Sequence, residues 1–446
     1  MTAPAIADKP TGASRILHTS DWHLGVTCRG ESRAADHDAL IEEIVSIAQA
    51  ARPDLVVHTG DLFDGARPGY DDMIRALLAV RRLSEVAPIV VICGNHDSEG
   101  LLRVLGEAVG DPGAEGWDPH GPCAQRIRFL PKPCLPEAGA VATYTVEGGP
   151  DIRLGCLPFV HANRLIVGFD ELGDANATYA EKIRLLAAEI SRSVLDGFDH
   201  TSQVAVWASH LHVEGARLSS ERQIHVSGAY AADTAHLNAA YGYLAFGHIH
   251  RPQDLPGGRG RYAGSILEVD FGEEAEDKVV VLADLKPATY PTITPIALTA
   301  GRRLLRPHGT LAEIAQRAGT IGDAICEVTV DPDPAAPNEL DMSSLATAVR
   351  EALPNATVVG VIDARRPADI TLDETNESAD EETLSTAFRS YLTSHGAGVV
   401  GSADPERVAS LFDELLGAVE LGQDPTVTED LELAALNIAS GPGGSV

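Results

Sequence analysis

Lysine, cysteine and long apolar runs are all scarce in this sequence of 446 residues. Only five lysines occur, and the formal net charge at pH 7 is −31. A simple nucleic-acid coat protein would be basic, although bound cations or a locally basic groove could still attract nucleic acid to an acidic chain. No stretch approaches the roughly 18 apolar residues of a membrane span. The composition therefore predicts a protein that does not cross a membrane.

The six cysteines include no C-x-x-C pair. Cys93 and Cys156 stand in apolar, strand-like runs and are expected to be reduced core residues. Residues 1–14 lack a basic segment followed by an apolar one, so we predict no signal peptide and a cytoplasmic location. Hydrophobic content of 44% is enough for a full core, and the length suggests two to three domains.

One motif, His-Thr-Ser-Asp-Trp-His-Leu-Gly at residues 18–25, organises the rest of the chain. Asp21 and His23 are two residues apart, so both side chains leave an extended backbone on the same side. A carboxylate and an imidazole placed together are two potential metal ligands, although Asp-x-His also occurs by chance. Similar groups recur at Gly60-Asp61, Gly94-Asn95-His96-Asp97, His210-Leu211-His212 and Gly247-His248-Ile249-His250.

Strand-like and helix-like stretches alternate around these motifs. Predicted strands at 15–19, 54–59 and 88–93 each run into a motif, and predicted helices follow at 38–51, 70–86 and 101–109. This alternation predicts an α/β sheet with helices on its faces and functional loops at the carboxyl ends of its strands. A second sheet is predicted from stretches at 127–130, 142–146, 152–158, 204–209, 243–246, 262–269, 279–285 and 292–298, beside a helix at 178–195.

The pattern changes after about residue 300. Thr310-Leu-Ala-Glu313 is a capping box that opens a helix, and residues 301–366 are predicted to form a small α+β capping domain. Residues 367–382 are acidic and predict a linker. Residues 383–420 predict a pair of amphipathic helices whose apolar stripe would dock onto a partner or pack back on the capping domain. Residues 421–446 are expected to be a disordered tail.

The recurring donors predict a metal site built from oxygen and nitrogen ligands without thiolate, which suits Mn, Fe, Zn or Mg. There are enough donors for two ions, and Asp61 is the natural carboxylate to bridge them. His96 would protonate or stabilise the leaving oxygen, and Asp97 could orient it. The candidate metal ligands are Asp21, His23, Asp61, Asn95, His210, His248 and His250.

The ordered motifs resemble those of the calcineurin-like metallophosphoesterases and, within them, the SbcD branch of bacterial break-repair nuclease subunits. The resemblance covers residues 15–250 and implies a calcineurin-like two-sheet sandwich over residues 1–300. It also implies two divalent ions, with Mn²⁺ favoured and Mg²⁺ or Fe as alternatives. One ion would take Asp21, His23, Asp61 and His250, and the other would take Asp61, Asn95, His210 and His248.

The same resemblance implies a metal-dependent DNA exonuclease or endonuclease that acts in DNA end processing, repair, recombination and replication. An SbcC-like ATPase would bind the helix pair at 383–420, and helices 70–86 and 101–109 would form a homodimer interface. Archaeal members carry a histidine where this chain has Asp64, so a second catalytic histidine cannot be carried over.

Two other functions fit the same catalytic motifs: a phosphodiesterase for small molecules or cyclic nucleotides, and a scaffold that clamps an ATPase on DNA ends. The residues after 300 favour the nuclease over the first, and the complete donor set disfavours the second. Trp22 is expected to pack beside the site rather than to stack a base. We expect either a solvated hinge or a DNA phosphate contact at the cluster of Arg302, Arg303 and Arg306. His161, His212, His225 and His236 are expected to be surface or hydrogen-bonded histidines.

Overall fold

The computed structural model describes residues 6–109, 118, 120–123, 125–160, 179–213, 216–217, 240–333 and 340–365. The α-helices of this part are α1 Ala34–Ala51, α2 Tyr70–Val86, α3 Glu99–Ala108, α4 Tyr179–Leu195, α5 Leu311–Gln316, α6 Ala318–Ile321 and α7 Met342–Ala352. The strands are β1 Ser14–Thr19, β2 Thr27–Cys28, β3 Glu31–Ser32, β4 Leu55–His58, β5 Ile89–Ile92, β6 Ile127–Leu130, β7 Val141–Tyr144, β8 Asp151–Leu157, β9 Gln203–His210, β10 Tyr241–Gly247, β11 Gln253–Asp254, β12 Gly260–Tyr262, β13 Val279–Leu285, β14 Thr292–Ala297, β15 Leu304–Leu305, β16 His308–Gly309, β17 Ile325–Val330 and β18 Thr357–Asp363.

Two six-stranded sheets form the larger part of the fold. The first has the order β14-β13-β1-β4-β5-β6, and the second has the order β11-β12-β10-β9-β8-β7. Strands β1, β4, β5 and β6 run parallel, as do β8, β9, β10 and β12. Their carboxyl ends therefore carry the loops on which all the predicted ligands lie.

Apolar residues on both faces of these strands hold the layers together. Val57 and Val90 of the first sheet share a buried cluster with Val206 and Tyr243 of the second. On the other face of the first sheet, Val56 belongs to the cluster that includes residues of α1, α2 and α3. The second sheet is covered by α4 in the same way. Burial on both faces explains the continuous apolar runs of the central strands, and the two-sheet sandwich flanked by helices is confirmed.

The predicted membership of the sheets was wrong at three strands. β6, β13 and β14 belong to the first sheet, where β6 pairs in parallel with β5 and β13 pairs antiparallel with β1. The strand predicted at 262–269 was wrong in its position, since the strand observed there, β12, ends at Tyr262. Helix α1 begins four residues before the predicted start, because the buried polar side chains of Asp36 and His37 hide its first turn from an apolar pattern. Periodicity reports burial, but it does not identify the partner of a strand.

Residues 304–363 form a small four-stranded sheet, which we call the cap. β15, β16 and β18 each pair in parallel with β17, and α5 and α7 contribute to a separate buried cluster. The predicted capping box is present, because Thr310 accepts from the backbone N–H of Glu313 and the Glu313 carboxylate accepts from that of Thr310. The predicted linker, helix pair and tail lie outside the described residues.

The hinge arginines are bound by carboxylates. Arg302 contacts Asp36 at 3.0 Å and Glu31 at 2.9 Å, and its side chain is only 20% exposed. Arg303 pairs with Glu268. The prediction of a solvated hinge was therefore wrong for Arg302. The ion pairs of Arg302 and Arg303 favour a hinge stabilised by salt bridges over a DNA phosphate contact.

Candidate metal centre

The predicted ligands converge at the carboxyl ends of five strands from the two sheets. The loop after β1 lies along the loop after β4, because Asp21 N donates to Gly60 O at 2.9 Å and His23 N donates to Asp61 O at 3.1 Å. The second sheet joins them through the backbone N–H of His248, which donates to both carboxylate oxygens of Asp21 at 3.1 and 3.2 Å. Six of the seven ligands are buried, and Asn95 is half-buried.

One group of donors is centred on two histidines. The Nε2 atoms of His23 and His250 lie 3.0 Å apart, and ligand atoms of Asp21, His23 and His250 all lie within 4.8 Å of one another. Asp61 Oδ2 is 3.8 Å from His23 Nε2. Three candidate ligands therefore surround one point, and Asp61 lies beside His23.

A second group shares Asp61 with the first. Asp61 Oδ2 is 3.4 Å from His210 Nε2. Asn95 Oδ1 lies 2.9 Å from the same nitrogen and 2.8 Å from His248 Nδ1. Asp61 thus faces both groups, as the predicted bridging role requires, and a ligand atom of Asp21 also lies within 4.8 Å of those of Asp61 and His210.

Hydrogen bonds at Nδ1, on the side of the ring that faces away from the centre, fix the orientation of His210 and His250. Nδ1 of His210 lies 2.7 Å from Thr59 O, which can only accept. Nδ1 of His250 lies 2.8 Å from Glu273 Oε1. Both rings therefore donate outward from Nδ1, and their Nε2 atoms point inward, where a neutral ring offers a lone pair to a metal ion. Inward-facing Nε2 atoms beside buried carboxylates fit a divalent cation, and no described cysteine belongs to the donor groups.

Four of the candidate ligands are held in the left-handed backbone region. The φ angles are +49° for Asp21, +47° for His23, +52° for Asp61 and +96° for His248. This conformation is unfavourable for residues with a side chain and persists where the surrounding structure imposes it. Its concentration at these positions indicates that the loops are shaped for ligand geometry.

Two glycines allow the loops to approach this closely. Gly60 has a φ of +97°, and a Cβ atom there would lie 2.3 Å from His210 Nδ1. A Cβ atom at Gly94 would lie 2.1 Å from Asp61 Oδ1. Neither position can carry a side chain without moving a ligand.

The ionisation of the centre favours positive charge beside Asp61. Burial opposes the charged form of Asp61, but His210 outweighs it and holds the pKa of this carboxyl well below its usual range. Burial likewise disfavours the imidazolium of His210, yet Asp61 and Asp21 raise the pKa of His210 to about 9. A metal ion bound at this position would compete with the proton on His210.

His96 and Asp97 do not contact each other as predicted. The Asp97 carboxylate accepts from the backbone N–H groups of Leu62, Phe63 and Gly94 at 3.2, 3.0 and 2.9 Å. Nδ1 of His96 is instead bound to the backbone oxygen of Asp64 at 2.8 Å. The prediction that Asp97 orients His96 was therefore wrong, because the turn at 94–97 folds the carboxylate back onto the loop after β4. Asp97 organises the backbone around Asp61.

Some residues beside the centre gave no clear signal in the sequence. Glu273 is fully buried against His250, but nothing in its local pattern marks it. Asp64 Oδ1 lies 3.3 Å from His23 Nδ1, and the ring of Phe159 lies 6.1 Å from that of His210. Only the position of Asp64 inside the second motif pointed to the site.

The remaining singled-out residues stay outside the donor groups. Trp22 is buried and donates to Thr19 Oγ1 at 2.8 Å, which fits a packing role. His212 is half-buried, and its Nδ1 has no hydrogen-bond partner among the described residues. His161, His225 and His236 lie outside the part of the chain that the structure describes.

The two-sheet fold and its convergent carboxylate, amide and imidazole donors define a metallophosphoesterase, and the family model of calcineurin-like phosphoesterases matches residues 14–252. The SbcD subunit of the SbcCD nuclease of Bacillus subtilis (strain 168) is 32% identical over 308 residues, covering 66% of this chain and 71% of that protein. The SbcD subunit of Rhodobacter capsulatus is also 32% identical, covering 66% and 72%. That of Staphylococcus saprophyticus is 25% identical, covering 61% and 66%.

The chain therefore belongs to the calcineurin-like phosphoesterase family and, within it, to the family of SbcD subunits of SbcCD nucleases. This membership makes it a metal-dependent phosphoesterase of the nuclease type. No helix in the described ranges is long and apolar enough to cross a membrane.

Proposed function

We propose that the chain is the nuclease subunit of an SbcCD-type complex, which hydrolyses DNA phosphodiester bonds with two divalent ions during DNA end processing and repair. The observation that carries this proposal is the shared carboxylate: Asp61 faces both the His23 group and the His210 group at 3.8 and 3.4 Å. Oxygen and nitrogen donors without thiolate favour Mn²⁺, with Mg²⁺ and Fe as alternatives.

Each residue of the centre has a defined task in this proposal. Asp21, His23, Asp61 and His250 would hold one ion, and Asp61, Asn95, His210 and His248 would hold the other. When bound, the ions supply the charge that activates water and stabilises the phosphoryl oxygens during in-line attack. His96 stays outside both groups, is held through Nδ1 by Asp64 O, and presents Nε2 as the donor of a proton to the leaving oxygen.

A groove lined by the residues that follow His250 in the chain gives this acidic protein a local place for the DNA backbone. It has a volume of about 560 Å³ and is lined by Arg217 and Arg251 together with residues such as Val213, Leu255 and Tyr262. Arg251 directly follows the candidate ligand His250; its side chain is 48% exposed, and its Nε atom lies 4.0 Å from Glu276 Oε1. The acidic residue of the groove, Asp254, pairs with Arg261 at 3.0 Å. Positive charge beside a phosphodiester site favours a nucleic acid over a small diester.

The nuclease activity is tested by giving the purified protein Mn²⁺ with single- or double-stranded DNA, and with bis(p-nitrophenyl) phosphate as a small diester. We expect cleavage of DNA. Hydrolysis of the small diester with intact DNA would contradict the nuclease function and favour a small-molecule phosphodiesterase. Binding of DNA ends without hydrolysis of either substrate would favour a scaffold.

Arg251→Ala is expected to weaken DNA binding at every sequence and to reduce the slope of log affinity against log salt concentration by about 1. Hydrolysis of the small diester should remain at the wild-type rate, because no candidate metal ligand is among the described residues that line the groove. Arg192→Ala is the matched control, since Arg192 is an exposed arginine that pairs with Glu189 within α4. An equal loss for both substrates would show that Arg251 serves the metal centre and not the strand.

An apolar stripe on α2 supports the proposed homodimer. Tyr70, Ile74 and Leu78 are spaced by four residues on one helix face and are 83%, 55% and 53% exposed, and Val104 of α3 is 59% exposed. Helices α2 and α3 both pack against β6, so these residues lie on one flank of the first sheet. A large exposed apolar stripe is typical of an interaction surface.

Ile74→Glu is expected to convert the dimer to a monomer near 47 kDa, as measured by light scattering. A symmetric interface brings the stripe against its own copy, so each dimer would bury two new charges. Tyr290→Glu, a substitution at another exposed aromatic residue, should leave the mass unchanged. A wild-type chain that is already monomeric would refute the homodimer.

The proposed ATPase partner rests on the names of the relatives, which are subunits of SbcCD complexes. The helix pair predicted at 383–420, which would bind that partner, lies outside the described residues. The proposal for this part of the chain therefore stands on sequence alone.

A further inference from the structure

The carboxylate of Glu273 meets the outer face of His250. We propose that Glu273 is a positioning residue that fixes the ring of His250. It thereby strengthens the binding of only one ion, the one held by the His23 group. Glu273 is fully buried, and its Oε1 atom lies 2.8 Å from His250 Nδ1. This inference rests on the metal centre of the proposed function.

The carboxylate of Glu273 is itself held rigidly. Its Oε2 atom accepts from Lys278 Nζ at 2.7 Å, from Ser265 Oγ at 3.3 Å and from Val269 N at 3.2 Å. Lys278 Nζ is in turn bound to the backbone oxygen of His250 at 3.3 Å. The side chain and the backbone of His250 are thus tied to the same buried pair, which leaves the ring one orientation.

The segment that carries Glu273 is also anchored on its outer side. Arg303 pairs with Glu268 and donates to Glu276 O at 3.3 Å, and the backbone N–H of Arg306 donates to Glu274 Oε1 at 2.8 Å. Because both ends of the turn are held, Glu273 cannot follow His250 if the ring moves. A fixed carboxylate of this kind keeps the ligand nitrogen aimed inward and raises its basicity.

The two donor groups differ in this respect. His210 of the second group donates from Nδ1 to a neutral backbone oxygen, Thr59 O, whereas His250 donates to a carboxylate. Carboxylates therefore stand behind histidines of the first group, Glu273 behind His250 and Asp64 behind His23, whereas His210 has a neutral oxygen. Loss of Glu273 should therefore weaken one ion and spare the other, a difference that a general loss of packing would not produce.

The test measures Mn²⁺ binding by calorimetry for the wild-type chain and for Glu273→Ala and Glu273→Gln. We expect one dissociation constant to rise by about 10- to 100-fold in Glu273→Ala, with the other little changed. Glu273→Gln keeps an acceptor oxygen, so its dissociation constant for that ion should lie between those of the wild-type chain and Glu273→Ala. Glu274→Ala is the matched control on the same turn, because its carboxylate faces Arg306 and not His250.

A second readout does not depend on metal. In the metal-free protein, nitrogen NMR of the histidine rings should show His250 protonated on Nδ1 in the wild-type chain and in Glu273→Gln, but not fixed in that form in Glu273→Ala. If Glu273→Ala does not fold, the Mn²⁺ binding constants of Glu273→Gln supply the test. Unchanged binding constants, or an equal rise in both, would overturn the positioning role. A wild-type chain that binds no Mn²⁺ would instead overturn the proposed function.

Discussion

His96→Ala is expected to lower DNA cleavage by about 10²- to 10⁴-fold while the Mn²⁺ content stays at two ions per chain. The ring of His96 lies against the centre without belonging to either donor group, and its centroid is 4.9 Å from that of His23. Nδ1 is occupied by the backbone oxygen of Asp64, so the only function left to the side chain is at Nε2. Removing it should eliminate the proton donor and leave the ligands in place.

Metal content separates this role from ligation. His23, Asp64 and His96 also bring ligand atoms within 4.8 Å of one another, so a cation between them is a competing arrangement. If His96→Ala loses one ion, that arrangement is correct and the assignment of His96 as a proton donor fails. His120→Ala is a suitable control, because the His120 side chain is 47% exposed and contacts Asp196 and Arg153 at 3.9 and 3.3 Å.

Gly94→Ala is expected to abolish both cleavage and the binding of both ions. A Cβ atom at this position would lie 2.1 Å from Asp61 Oδ1 and 2.2 Å from Asp61 N, so the loop after β4 must move. Asp61 is the carboxylate that both donor groups share. The addition of one methyl group is therefore expected to disturb the binding of both ions. Bound manganese is measured by inductively coupled plasma spectrometry, and cleavage is measured in the DNA assay.

A neighbouring glycine provides the control for that substitution. Gly65 has open space around its Cα, with nothing within 4 Å of an added Cβ. Gly65→Ala should therefore keep wild-type metal content and activity. If Gly94→Ala retains both ions, Asp61 does not need the position that the structure gives it, and the shared-carboxylate arrangement is wrong.

The convergence of the candidate ligands could be predicted because each motif stands directly after an apolar strand. The carboxyl ends of β1, β4 and β5 meet at one edge, and those of β9 and β10 face them across the sandwich. Strand partners could not be predicted in the same way. β6, β13 and β14 have the apolar pattern of any strand, and only tertiary packing places them in the first sheet.

The supporting residues were beyond sequence reasoning for a different reason. Asp97 follows His96 in the chain and was assigned to it, but adjacency in sequence does not produce contact where the backbone turns. Glu273 lies 23 residues after His250, on a turn with no motif of its own. Such contacts depend on loop geometry, which composition and periodicity do not encode.

The most direct test of the two-ion centre is anomalous diffraction from crystals soaked in Mn²⁺. The shared carboxylate predicts two manganese peaks separated by about 3.5–4 Å, one between the Nε2 atoms of His23 and His250 and the other beside His210 Nε2 and Asn95 Oδ1, with Asp61 contacting both. A single peak, or a peak between His23, Asp64 and His96, would contradict the arrangement on which the proposed nuclease chemistry depends.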